Sequence, residues 1–153
     1  MPARDLPLSG IRVVEFCHVI MGPTCGMILG DLGADVIKIE PAPHGDNTRR
    51  MIGSGAGFFP TYNRNKRSLA LDMKTPEGME ITRRLIGTAD VLTENFRPGA
   101  MDALGLGYAS VKELNERLVY CSLKGFLSGP YDQRSALDEV GFEVAELGRP
   151  TRR

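Results

Sequence analysis

The chain has 153 residues, 42% apolar and 25% charged, with 19 basic side chains set against 19 acidic ones. That length suits one domain with a core of its own, since domains commonly run to roughly 100–200 residues, and it crowds two. The cancelled charge excludes the broad basic footprint of a nucleic-acid-binding surface, and no run approaches the roughly 18 apolar residues of a membrane span.

The opening MPARDLPLSG lacks an apolar stretch of signal-peptide length. Cys17, Cys25 and Cys121 are an odd, widely spaced set with no CxxC, which supports neither a disulfide framework nor a zinc site. A soluble protein of the reducing cytoplasm, without metal, is expected.

Ile11–Phe16 is a short β-branched and aromatic run bounded by Ser9-Gly10 and a polar turn, as a buried first strand requires. Gly22-Pro23 then opens a helix through Leu32, with Gly33 past its end. Asp35–Ile39 follows as a strand, so strand, helix and strand form a right-handed crossover in a parallel sheet. Residues 40–67 read as a long loop rich in glycine and proline. Its basic cluster, Arg49, Arg50, Arg64, Lys66 and Arg67, has two readings, a phosphate attractor or a solvated surface.

Ser68–Asp72 is a third strand. Thr75-Pro76-Glu77 is a helix start, with an N-cap, proline in the first turn and an early acid against the dipole, and Gly87 is its end. Val91–Glu94 is a fourth strand, Ser110–Asn115 part of a short helix and Leu118–Leu123 a fifth strand. The expected class is α/β, a Rossmann-like parallel sheet with flanking helices.

Open parallel sheets bind ligands beyond the carboxyl ends of their strands, where helix N-termini and free backbone amides point. After the first strand stands Cys17-His18-Val19-Ile20-Met21-Gly22-Pro23, which is neither GxGxxG nor a GxxxxGK[ST] loop and so argues against an ordinary dinucleotide or P-loop site. After the fourth stand Asn95-Phe96-Arg97, and after the fifth Lys124-Gly125-Phe126. Aromatic rings there can stack on a purine and basic groups can pair with phosphate. Each has a bland counterpart: Phe96 and Phe126 as core, Asn95 as a turn former, Lys124 as a surface charge and His18 as a structural histidine. Cys17 and Cys25 read as packing residues, because a reactive thiol needs an electropositive, partly open setting.

The ordered segments HVIMGPTCGMILGDLGADVIKIEP, NRNKRSLALDMKTPEG, ADVLTENFRPGAMDALGLGY and LVYCSLKGF resemble the N-terminal part of the family III CoA-transferases, the formyl-CoA and carnitine CoA-transferase type. The resemblance runs from about Leu8 to Val140. It implies the truncated large domain of that fold, binding coenzyme A through His18, Val19, Ile20 and Met21, through Leu71, Asp72, Met73 and Lys74, through Asn95, Phe96 and Arg97, and through Lys124, Gly125 and Phe126. Pro41 and Ala103 stand where formyl-CoA transferase would carry arginines, a loss that Arg97 or the Arg49-Arg50 pair would offset.

The family uses an aspartate that attacks the acyl-CoA thioester, passing the acyl group through a mixed anhydride to a carboxylic acid acceptor. That motif lies beyond the region resembling Ala136–Val140, so no catalytic residue is assigned here. Related racemases would carry a histidine just before Asp138, where this chain has Leu137. The expected division is residues 1–140 as the CoA-binding part and 141–153 as a non-matching tail of frameshifted character. An N-terminal transferase fragment that binds CoA without the aspartate motif is thus expected; the alternatives are a non-catalytic CoA-binding remnant and a racemase or dinucleotide-binding fragment. Full-length relatives are interlaced homodimers, which this chain is not expected to form.

Overall fold

Val13, Val14 and Phe16 pack on both faces of the first strand, β1 (Arg12–Phe16), in the computed structural model, which describes residues 6–134. Strand β2 (Asp35–Pro41), β3 (Lys66–Leu71), β4 (Val91–Glu94) and β5 (Val119–Ser122) complete a sheet in the order β3-β2-β1-β4-β5, every neighbouring pair parallel. The expected class and all five expected strands are therefore present. The boundary at Val140, Leu137 and Asp138 lie outside the described residues.

Chain connection dictates which face each helix covers. α1 (Met21–Asp31) joins β1 to β2 and lies on one face, where Val13, Ala34 and Val36 meet Leu29. The step from β3 back across to β4 reverses direction, so a right-handed crossover puts α3 (Pro76–Gly87) on the opposite face. There Val14, Phe16, Ile37, Ile39 and Leu92 form the main core with Ile86 of α3 and with Met101 and Val111 from the two helices between β4 and β5. Those are α4 (Ala100–Ala103) and α5 (Tyr108–Leu114).

α3 has the cap and bounds its sequence signals specify. Thr75 Oγ1 accepts from Gly78 N at 3.1 Å, Pro76 opens the first turn and Gly87 closes the helix. α4 was not expected. It spans four residues and starts from Gly99 in the left-handed conformation at φ 77°, a geometry with no hydrophobic period to betray it.

Residues 40–67 are more ordered than the expected loop. They hold two 3₁₀ turns, Asn47–Arg50 and Gly53–Gly55, the short helix α2 (Phe58–Tyr62) and the start of β3 at Lys66. The organiser is Glu40 at the end of β2, whose buried carboxylate accepts from Asp46 N at 2.8 Å, from Arg49 at 2.7 and 2.6 Å and from Ser68 Oγ at 2.7 Å.

Each member of the basic cluster has a partner in this arrangement. Arg64 pairs with Asp31 at 2.5 Å and Arg67 with Asp35 at 3.2 Å, while Arg50 donates to His44 O and Asn47 Oδ1. Lys66 is buried, its ammonium 2.8 Å from Glu15. Arg49 is held by Glu40, whereas Arg50 is exposed and bonded only to neutral oxygens. Of the five, the Lys66 side chain is buried, while Arg50, Arg64 and Arg67 are exposed.

Candidate functional site

Parallel strands bring all five carboxyl ends to one edge, and the strand order reverses between β1 and β4. A crevice at such a reversal is where open α/β sheets take ligands. Charged residues stand under it. Glu15, wholly buried on β1, faces Lys66 Nζ at 2.8 and 3.0 Å and Lys38 Nζ at 3.4 Å. Lys38 also pairs with Asp46 at 3.0 Å and donates to the Cys17 carbonyl. Burial pushes the Glu15 carboxyl up and the Lys66 ammonium down, against the attraction between them. The network therefore ends on the backbone that enters the crevice.

Above it, Asn95 closes on His18 from both sides. His18 N donates to Asn95 Oδ1 at 2.9 Å, and Asn95 Nδ2 donates to His18 O at 2.8 Å, across 77 residues of sequence. One amide side chain thus does what a further backbone pair would do, locking the turn after β1 to the turn after β4. The Phe96 ring lies beside the His18 imidazole, centroids 5.6 Å apart and planes 39° apart.

Val19 follows with φ 67°, a left-handed conformation costly for a β-branched residue and held here by its locked neighbour. α1 then begins with no side-chain cap from Ile20 and no acid in its first turn, with Met21 exposed at its start and Gly22 buried behind it.

The His18 imidazole lies below its ordinary value, first through desolvation and then through Lys38 and Arg97, with Asp46 pulling the other way. The shift favours the neutral imidazole, which can accept or donate a hydrogen bond. Arg97 is exposed beside it.

Lys124 is tied more tightly than its surface-charge reading implies. Its ammonium lies 2.8 Å from Glu94 Oε2 and 2.6 Å from the Phe96 carbonyl, while Glu94 also accepts from Phe96 N at 2.9 Å and from Ser122 Oγ. Glu94 is buried at 2% exposure, so Lys124 balances its charge and fixes the Phe96 turn.

His18, Asn95, Phe96 and Lys124 are thus in one contact group, with Val19 to Met21 and Arg97 adjoining. The segment Leu71 to Lys74 is on the same edge but at the end of β3, beyond β2. Leu71 and Met73 pack on the core, Asp72 Oδ1 accepts from Lys74 N at 3.0 Å and Lys74 is exposed. Gly125 is exposed, and Phe126 lies against Tyr131 with centroids 6.0 Å apart. Pro41 ends β2 and Ala103 ends α4, both exposed.

Glu15, Lys38 and Glu94 were missed from sequence. The available signal was a charge inside an apolar strand run, at VVEF, VIKIE and VLTE.

A parallel sheet with helices on both faces and its strand order reversed between β1 and β4 is a doubly wound α/β scaffold. The sequence profile of CoA-transferase family III matches residues 8–149, and the chain belongs to that family. The match reaches past Val140.

The chain is 44% identical over 151 residues to the succinate–glutarate CoA-transferase of Agrobacterium fabrum, covering 92% of this chain and 38% of that one. It is 43% identical over 137 residues to a formyl-CoA:oxalate CoA-transferase of Rhodopseudomonas palustris, covering 87% and 32%. A CAIB/BAIF family protein from Brucella suis superimposes with a TM-score of 0.83 at 44% identity, covering 95% of this chain and 40% of that one. The protein Rv3272 from Mycobacterium tuberculosis does so with 0.86 at 39% identity, covering 95% and 42%. The chain thus spans about a third of the length of the curated relatives it matches. No helix among the described residues is long and apolar enough to cross a membrane.

Proposed function

We propose that this chain binds the coenzyme A portion of an acyl-CoA at the crevice between β1 and β4, as the N-terminal part of an acyl-CoA:carboxylate CoA-transferase. The observation that carries the reading is the Asn95 lock on His18, which sets an aromatic ring, an arginine and an uncapped helix N-terminus around one opening. CoA brings a purine for Phe96, phosphates for Arg97 and the helix start, and pantetheine amides for the backbone from Val19 to Met21. Leu71 to Lys74 and Gly125-Phe126 would extend contact along the same edge.

Lys124 enters as a positioning residue, through Glu94 and the Phe96 carbonyl. No residue of this chain is assigned the nucleophile. The buried carboxylates on this edge, Glu15, Glu40 and Glu94, are each held by lysine or arginine. Such groups are poorly placed for attack on a thioester, which needs a free oxygen aimed at the carbonyl carbon. The acceptor would be a carboxylic acid, as the relatives' names state for succinate, glutarate and oxalate.

Calorimetric titration of the folded chain with CoA tests the reading. Binding is expected, weakened about tenfold or more by Phe96→Ala or Arg97→Ala, with folding checked by circular dichroism. NADH is expected to give no heat. A folded chain that takes up NADH and ignores CoA overturns the proposal in favour of a dinucleotide site.

A further inference from the structure

The peptide unit between Cys17 and His18 is gripped at both ends. Its carbonyl, on Cys17, accepts from the Lys38 ammonium, and its N–H, on His18, donates to Asn95 Oδ1 at 2.9 Å. A peptide unit is planar, so fixing the direction of the carbonyl fixes that of the N–H as well. Lys38 comes from β2 and Asn95 follows β4, so one peptide at the end of β1 ties together both of that strand's neighbours.

Lys38 is itself held firmly. It stands opposite Glu15 in the β1–β2 register and is wholly buried, its ammonium 3.4 Å from Glu15 Oε1 and 3.0 Å from Asp46 Oδ2. A second buried ammonium acts at the far side of the same turn, where Lys66 donates to the Pro23 carbonyl at 2.8 Å. The backbone from His18 to Pro23 is thus suspended between two lysines that share the Glu15 carboxylate.

An ammonium is a stronger donor than a neutral group, and it polarises the peptide so that the N–H at the other end donates better too. Cys17 is buried, and a buried carbonyl stripped of its donor is costly. Without the lysine the peptide gains by rotating toward another donor, and the His18 N–H swings off Asn95 with it. Val19, left-handed at φ 67°, is the next residue along and loses the neighbour that holds it there.

We infer that Lys38 is a positioning residue of the crevice. Through the Cys17–His18 peptide it sets the path of the Val19–Met21 backbone, and so governs affinity for CoA without touching it. The effect on affinity rests on the proposed CoA site, whereas the hold on the peptide does not.

The test is amide hydrogen exchange of the whole chain by NMR, comparing Asp46→Ala with the double variant Lys38→Met, Asp46→Ala. Removing the aspartate along with the lysine leaves the Glu15–Lys66 pair neutral, so no unmatched charge is buried. The His18 N–H is expected to exchange about tenfold or more faster in the double variant, beyond any change at Val14 and Leu92, which report loss of overall stability. CoA affinity by calorimetry should fall about tenfold between the same two variants. Equal exchange at His18, or an acceleration shared by Val14 and Leu92, overturns the inference. Unchanged CoA affinity with His18 released overturns the role in binding. An unsubstituted chain that ignores CoA refutes the CoA site itself, while the exchange result still decides the hold on the peptide. In the unsubstituted chain a scalar coupling across the hydrogen bond, from Lys38 Nζ to the Cys17 carbonyl carbon, is expected, and its absence overturns the inference even where the double variant does not fold.

Discussion

Gly26 shows how much one hydrogen atom in place of a methyl can decide. Replacing it with alanine gains up to about 1 kcal/mol of helix propensity. The added methyl, however, falls on Glu15 Oε2, and that carboxylate is pinned by Lys66 and Lys38 rather than free to swing away. Either α1 lifts or the ion pair opens, and overpacking of this kind costs about 1–3 kcal/mol, so the clash wins. Gly26→Ala is expected to lower the urea midpoint without changing the slope; an unchanged or higher midpoint would show that Glu15 moves freely. The glycine was visible in sequence only as one of several small residues in a helix. Its reason was not, because Lys66 meets Glu15 across 51 residues. Asn95 likewise read as a turn former, and its grip on His18 depends on β1 and β4 becoming neighbours.

Elements follow their local signals where those signals are complete. α3 matches its expected bounds because cap, proline and closing glycine all stand within its own sequence. Thr75→Ala removes the acceptor for Gly78 N and should cost about 1 kcal/mol, read as a drop in thermal midpoint; Thr75→Ser should restore most of it. The strands were legible from β-branched runs, with β3 starting two residues before the expected Ser68 because Lys66 is drawn in by Glu15. The 40–67 segment was illegible for the opposite reason. Its first turn is set by two acceptors, Glu40 and Asp46, and a carboxylate at the end of a strand announces nothing about which arginine it will hold.

For the molecule as a whole, that same carboxylate links stability to pH. Burial alone would raise the Glu40 pKa, but Arg49, the Asp46 N–H and the Ser68 hydroxyl bring it from an ordinary 4.5 down to about 2. A depressed folded value means stability that is fully present above the unfolded value and lost as pH falls from about 4.5 toward 2. Discounted for the solvent side of Arg49, the contribution is about 2 kcal/mol. The stability difference between the native chain and Glu40→Gln should therefore be largest near neutrality and shrink across that interval in acid denaturation; a constant difference would refute the link.

The reversal of strand order has a consequence for a chain still being made. The half-sheet β3-β2-β1 is complete in sequence at Leu71, whereas the outer side of β1 pairs only with β4, which ends at Glu94. At about 5–20 residues per second, synthesis leaves that side of β1 bare for on the order of one to five seconds. A bare strand invites foreign strands to add to it, and a charge turned inward is one of the ways proteins discourage this. Glu15 occupies the middle of that run, so the residue that anchors the finished crevice also guards the unfinished sheet during translation.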